Sequence, residues 1–543
     1  MVVEAGQARG CADVGTPPSA FENSLWLFDT LGAMELAASG DLRQELRFGR
    51  DVSLWDVIGP YLALYRFPLL FPSAERRPSW RLYVRSCLWP YCGLAGHFRD
   101  LLGADPHRSA AACARWSADK PTVLFLAFSP TYYRDVLHPV AELLAREGPL
   151  RGVVLGYGPS PGVTWESGDR LRYESIWHHW DRDVEGQARM MVRLLARTQR
   201  LVFARADFPE VGSMANGNVN LAALRREFRW LFWREFRRLI PQMAVATHVL
   251  NRHHPAIIVS ADDADQRCRV YSLMARALAI PSLIVQQGFT DPGYPDWRLF
   301  SGEAIAAMGP LSLDAQVKQG IPAERITLTG HPGFDRLLSS EPEACRGLRT
   351  RLGVACGETM LLFASQPYYV GAFRTPEIRR DMITAISTAA GSVKNIRMIV
   401  KPHPNEHVRE LRGLIGTPAW ITMVDQKEDI TPLIRACDVL ITFFSQSALQ
   451  ALYAGKPVIN VDFPNSGGAR LYSESGATWT ARSPDEIVVQ LRKLTGANRE
   501  SEIASRDTAR RRFVRQWAYQ PDGLASERVA RLIFGLIGQR KQK

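Results

Sequence analysis

The chain has 543 residues, 46% of them hydrophobic and 22% charged, values that exclude a disordered, collagen-like or fibrous chain. At about 100–200 residues per domain, this length predicts two to four domains and more than one full core. The 67 Lys and Arg against 55 Asp and Glu leave a net charge of +12, which suits nucleic acid, anionic lipid or a phosphorylated substrate without choosing among them.

Residues 1–115 are Trp-rich, with helical patterns such as Ser53-Leu-Trp-Asp-Val-Ile58 and no strand cycle, so they predict a separate, mainly helical module. The N-terminus lacks the basic start and apolar core of a signal peptide, and Ile58–Phe71 is interrupted by Arg66 and two prolines, so no bilayer span is expected. Cys11, Cys87, Cys92, Cys113, Cys268, Cys345, Cys356 and Cys437 are scattered, with no CxxC pair and no His/Cys cluster at zinc spacing. That predicts reduced thiols, a cytoplasmic location and no metal.

From about residue 120 the sequence cycles through apolar run, turn and helix-like stretch, the pattern of βα units on a parallel sheet. A first Rossmann-like domain is expected over 116–308. Its strands are Pro121–Ser129, Gly152–Tyr157, His254–Ser260 and Ser282–Gln286, and helices run from His138 to Arg146 and through Met274. Within it, Leu221–Ile240 interleaves Arg225, Arg226, Arg229, Arg234, Arg237 and Arg238 with Phe228, Trp230, Phe232, Trp233 and Phe236. The stripe Leu224, Phe228, Leu231, Phe232, Leu239 has the spacing of a helix packed on a core. The arginines keep open a peripheral contact with anionic membrane.

A second such domain is expected over 309–505, entered through an interdomain segment from Gly309 to Arg336. Its strands are Thr359–Ser365, Arg397–Lys401, Asp438–Thr442 and Lys456–Val461. Residues 506–543 predict a returning helix over Leu524–Ile537 and a short basic tail.

In open α/β sheets, ligands bind at the carboxyl ends of strands. Four loops there carry chemistry. Lys401-Pro-His-Pro404 holds His403 on an extended backbone beside a positive charge, which suits an anionic phosphate; a rigid proline turn capped by the histidine is the plainer alternative. Phe443–Leu452 passes from strand into helix through Ser445 and Ser447, where hydroxyls and helix N–H groups suit a phosphate as well as an ordinary N-cap. Ser365 and Gln366 leave another strand. In Val259-Ser-Ala-Asp-Asp-Ala-Asp265, Asp262 or Asp263 is placed to act as a general base, while Asp265 reads as a helix cap. There is no P-loop and no GxGxxG, which disfavours kinases and dinucleotide oxidoreductases. No nucleic-acid reading motif appears either, so nucleic acid is not expected as a partner.

Taken in order, the aspartates, Gln286-Gln-Gly288, Gly330-His-Pro-Gly-Phe-Asp335, Lys401-Pro-His-Pro404, Ser445 and Gly455-Lys-Pro-Val-Ile459 resemble the GT-B-fold enzymes of bacterial capsule and surface-polysaccharide biosynthesis. That group includes CDP-glycerol glycerophosphotransferases, HP-motif sialyl- and Kdo-transferases and, more distantly, UDP-N-acetylglucosamine 2-epimerases. The resemblance implies two Rossmann-like domains facing a cleft, a nucleotide-sugar donor on the C-terminal half and a glycan or lipid-linked acceptor on the N-terminal half. It also implies an inverting displacement without metal or cofactor. Asp262 or Asp263 would be the base. Lys401, His403, Ser445, Ser447, Gln450, Ser365 and Gln366 would hold the nucleotide phosphates, with Gln287, Gly288 and His331 elsewhere in the cleft. Three positions depart from the family pattern. Gln287 stands where relatives have His, Gln450 where they have Glu, and the acidic motif lacks its Gly. An epimerase, or a scaffold that has lost catalysis, are the rival implications.

Overall fold

The computed structural model describes residues 20–34, 40–48, 52–67, 120–147, 149–157, 170–204, 221–289, 297–339, 341–368, 373–464 and 471–540. The apolar runs of the sequence form two parallel sheets. The first holds β1 Thr122–Leu126, β2 Arg151–Gly156, β3 Leu171–Ser175, β4 Ile257–Ser260, β5 Ser282–Val285, β6 Ala304–Ala307 and β7 Ile326–Leu328, in the order β3-β2-β1-β4-β5-β6-β7. The second holds β8 Thr359–Ala364, β9 Ile396–Lys401, β10 Ile421–Met423, β11 Val439–Thr442, β12 Val458–Val461 and β13 Trp479–Ala481, in the order β10-β9-β8-β11-β12-β13. Both orders reverse beside their first strand, the doubly wound arrangement whose ligand sites lie at the reversal.

Register explains the unbroken apolar composition of the central strands. Leu124 lies opposite Val153 and Ile258 in the first sheet, and Leu362 opposite Ile399 and Leu440 in the second. All six are buried, as expected where helices cover both faces.

On the first sheet, α1 His138–Glu147 covers one face, and α2 Arg182–Ala204, α3 Leu221–Trp230 and α4 Phe236–His253 build the other layer. A π turn, Leu231–Glu235, joins α3 to α4. The stripe Leu224, Phe228, Leu231, Phe232, Leu239 is buried, so this helix packs on a core. It leaves Arg225, Arg226, Arg229, Trp233 and Arg237 exposed.

The described N-terminal residues belong to the same core. Trp55 stacks on Phe28 with ring centroids 5.2 Å apart and meets Phe228 at 5.9 Å, and Arg66 forms a bidentate pair with Glu227. The separate module expected over 1–115 is therefore, in its described parts, a layer of the first domain; residues 68–115 lie outside the described residues. The boundary expected at 308/309 is also displaced, because β7 within the supposed interdomain segment extends the first sheet.

Helix α5, Gln266–Ala277, lies between β4 and β5 of the first domain; around the second sheet run α6 Pro376–Gly391, α7 Gln446–Tyr453 and α8 Arg499–Ala518, the last contributing Phe513, Val514 and Trp517 to the core. Helix α9, Ala525–Arg540, then returns to the first domain and buries Val529, Ala530 and Ile533 beside α1. The Asp335 carboxylate anchors its start, accepting the N–H groups of Ala525 at 3.0 Å and Ser526 at 2.7 Å.

Candidate active site

The carboxyl edges of the two sheets meet. Gln446 at the start of α7 donates through Nε2 to the Gln287 carbonyl beyond β5, at 3.3 Å. A Cβ on Gly288 would stand 2.8 Å from Gln446 Oε1, so glycine permits the approach. Arg336 links the same edges, with Asp429 at 3.2 Å and Asp135 at 3.8 Å. At Gly333 a Cβ would collide with the Asp135 carbonyl, which explains the glycine of the His-Pro-Gly-Phe-Asp motif.

The loop after β9 is held from beneath. The buried Glu406 carboxylate pairs with Arg379, accepts the Ser365 hydroxyl at 2.8 Å and accepts the His403 N–H at 3.1 Å. Gln426 donates to the carbonyls of His403, Pro404 and Glu406 at 2.8, 2.6 and 3.0 Å. His403 Nδ1 accepts the Asn405 N–H at 3.1 Å, which places the ring proton of the neutral tautomer on Nε2. Burial, then the Lys401 charge, lower the histidine's pKa, so that neutral donor is the form present at pH 7.

Lys401 and the β8 loop depart from the expected phosphate contacts. The Lys401 ammonium is buried and donates to the carbonyls of Pro402 and Gln426 at 2.7 and 2.9 Å, so it braces the loop. Its pKa is lowered by burial and by the positive charge of Arg134 on the first domain. Ser365 and Gln366 are likewise buried, Ser365 on Glu406 and Gln366 accepting the Phe444 N–H at 3.1 Å. They join the β9 loop to the β11 loop.

Ser445 caps α7, accepting the Ser447 N–H at 3.2 Å and the Ser447 hydroxyl at 2.8 Å. This places a hydroxyl pair and a helix N-terminus at the reversal point of the second sheet, a position favourable to anions. Gln450 lies one turn along the same helix, half-buried.

In the first sheet the acidic loop leaves β4, also at the reversal. Asp263 is buried on the Arg269 guanidinium at 3.2 Å and on Ser301, whose N–H donates at 2.8 Å. That pairing makes it structural and removes it as a base. Asp265 caps α5. Asp262 accepts the N–H groups of Ala264 at 2.8 Å and Asp265 at 3.2 Å through Oδ1 alone. Burial, reinforced by the Asp265 charge and opposed by those N–H groups, raises its pKa to about 6, a value suited to proton acceptance near neutrality.

His331 is buried, stacks on Phe334 and meets the Gln287 carbonyl through Nε2 at 3.2 Å. Burial pushes its pKa down to about 4, so it holds the junction as a neutral ring. Sequence reasoning missed Glu406, Arg379, Gln426, Gln446, Arg134 and Arg336. Only Arg134 carried a usable signal, standing just beyond β1 at the reversal point.

Two doubly wound domains with opposed carboxyl edges define the GT-B class. Residues 318–535 match the family model for CDP-Glycerol:Poly(glycerophosphate) glycerophosphotransferase. The likeness to that family of transferases covers these C-terminal residues, about two fifths of the chain. The matched span contains His331, His403 and Ser445 and stops short of Asp262. No curated protein matches the sequence. Among solved structures, the wall teichoic acid polymerase TagF is similar at 13% identity and TM-score 0.49, over 83% of this chain and 98% of its own. A UDP-N-acetylglucosamine 2-epimerase is similar at 14% identity and TM-score 0.48, over 77% and 96%. Anabaena HepE, in complex with UDP and glucose, is similar at 13% identity and TM-score 0.46, over 76% and 100%. No helix among the described residues is long and apolar enough to cross a membrane.

Proposed function

We propose that the protein moves a sugar or glycerol-phosphate group from a nucleotide-activated donor to a hydroxyl of a growing bacterial capsule or surface polysaccharide, at the cytoplasmic face of the membrane. The observation that carries this reading is the division of labour across the Gln287–Gln446 contact. One edge offers Asp262 with its raised pKa; the other offers the His403 Nε2–H, the Ser445 and Ser447 hydroxyls and the start of α7.

Asp262 takes the proton of the acceptor hydroxyl, whose oxygen forms the new bond. For a sugar donor, the bond from the anomeric carbon to the phosphate oxygen breaks with inversion, and the nucleoside diphosphate, or CMP from a CMP-sugar, leaves. For a CDP-glycerol donor, the acceptor oxygen attacks the glycerol-bearing phosphorus and CMP leaves. The family match favours this second version. In both, neutral N–H and O–H donors stabilise charge on the departing phosphate, the larger part of the task. The mechanism uses no metal and no cofactor.

Purified protein is incubated with CDP-glycerol and with CMP-, UDP- and GDP-sugars, with and without acceptor glycan. Acceptor-dependent release of CMP from CDP-glycerol, or of nucleotide from one sugar donor, is expected. A C2-epimerised sugar nucleotide formed without acceptor identifies an epimerase instead. Binding without turnover identifies a scaffold that has lost catalysis, and binding of no donor removes the transferase reading.

A further inference from the structure

A buried cluster outside the cleft loops has no part in this reaction. The edge strand β3 ends with Glu174 and Ser175, the turn Ile176–His179 follows, and α4 ends at His253. These segments bring Glu174 Oε2 to 2.9 Å from His179 Nε2 and 2.8 Å from His253 Nε2. The ligand atoms of the three residues all lie within 4.8 Å of one another. The side chains of Glu174, His179 and His253 are 4%, 0% and 13% exposed.

Both imidazoles meet the same carboxylate oxygen, Glu174 Oε2, through Nε2, and all three groups are withdrawn from solvent. Two imidazoles and a carboxylate converging on one point are a donor set for a divalent transition metal with an open fourth position.

We infer that Glu174, His179 and His253 bind a divalent transition-metal ion, zinc by its donor set, which clamps the edge strand β3 to the end of α4. A tetrahedral zinc site has ligand-to-ligand separations of about 3.3 Å, so the carboxylate withdraws by only about 0.5 Å to admit the ion. Water takes the fourth position, since His253 is the partly exposed member. His248, paired with Asp181 at 3.6 Å, has its ring 5.8 Å from that of His179 and borders the site. The role is structural, because the ligands join two secondary-structure elements and all lie outside the loops assigned to transfer.

The test uses the full chain, stripped with chelator and dialysed. Zinc is titrated and the bound metal counted by mass spectrometry after gel filtration; cobalt is added separately as a visible reporter of tetrahedral geometry. One equivalent of zinc, the absorption bands of tetrahedral cobalt and a zinc-dependent rise in Tm are expected. Glu174→Gln and His253→Gln, near-isosteric changes chosen so that the variants still fold, each lose the equivalent, the bands and the Tm response. His407→Gln, at an exposed helix start, keeps all three. A stripped chain that retains no stoichiometric zinc, or Glu174 and His253 variants that bind as the unmodified chain does, would overturn the inference.

Discussion

The loop after β9 rests on a buried ion pair and a glutamine that ties three carbonyls together, whereas the loop after β4 rests on backbone N–H groups and leaves Asp262 with a raised pKa. One loop is stiffened to present neutral hydrogen-bond donors. The other keeps a carboxylate in surroundings that favour its protonated form. Charge is thus consumed internally on the proposed donor side, where Glu406 and Lys401 are both satisfied by protein, and left under tension on the acceptor side. A leaving phosphate is met by N–H and O–H groups held in place, and an acceptor hydroxyl by a base ready to take a proton.

The largest effect is expected from Glu406→Gln. Arg379 would keep its buried charge without its carboxylate, at a cost of about 3–5 kcal/mol, visible as a lower urea midpoint. An unchanged midpoint would mean that the β9 loop does not depend on the pair. Next, Asp262→Asn should lower kcat by about 100- to 10,000-fold with little change in donor affinity. Asp263→Asn should act mainly on stability, by loosening Arg269 and Ser301.

The pH dependence of Asp262 has two signs to check. As a base it must be deprotonated, so the rate should fall as pH drops through about 6. As a folded-state carboxyl with a raised pKa, its contribution to stability is fully present below its ordinary 3.8 and lost as pH rises through about 6. The Asn variant should therefore gain stability over the unmodified chain above pH 6, while its activity is lost. A flat rate profile between pH 5 and 7 would remove Asp262 from the mechanism.

A smaller effect is expected at His403. Its Ala variant should weaken donor binding by about 1.5–3 kcal/mol, the range for a hydrogen bond to a charged group, and Gln should restore part of it. Lys401→Met should lower stability before donor affinity; the reverse order would make the lysine a phosphate ligand. The smallest effect is at the surface. Arg225→Glu, Arg229→Glu and Arg237→Glu together should weaken binding to anionic vesicles by about 1 kcal/mol per arginine. No vesicle binding by the unmodified chain would leave α3 and α4 as core helices only.

The central strands were legible because burial on both faces forces continuous apolar runs. The edge strands were not: Leu171-Arg-Tyr-Glu-Ser175 alternates with polar residues, and Ile421–Met423 is short and half-exposed. In the site, the loops and their order could be read, along with Asp265 as a cap. What could not be read was which polar residue faces inward. Arg379 lies on α6 and Glu406 in a polar loop, so both look solvated in sequence, and only packing brings them together. Lys401 suggested an open charge because nothing in the sequence places the Gln426 carbonyl beside it. The histidine and glutamate of the β3–α4 cluster are hidden for a related reason: His179 and His253 are far apart along the chain, beyond any short ligand spacing.

Helix α9 completes the layer that covers β1 and β4, yet it is made after the whole second domain. During synthesis, the first sheet must therefore wait with one apolar face incompletely sheltered until Ala525–Arg540 has left the ribosome. Truncation ahead of Ala525 would then injure the first domain, by stripping a cover from strands encoded about 270 to 400 residues earlier. Because the chain crosses between the halves a second time on its way to α9, the two domains are tethered by two backbone connections.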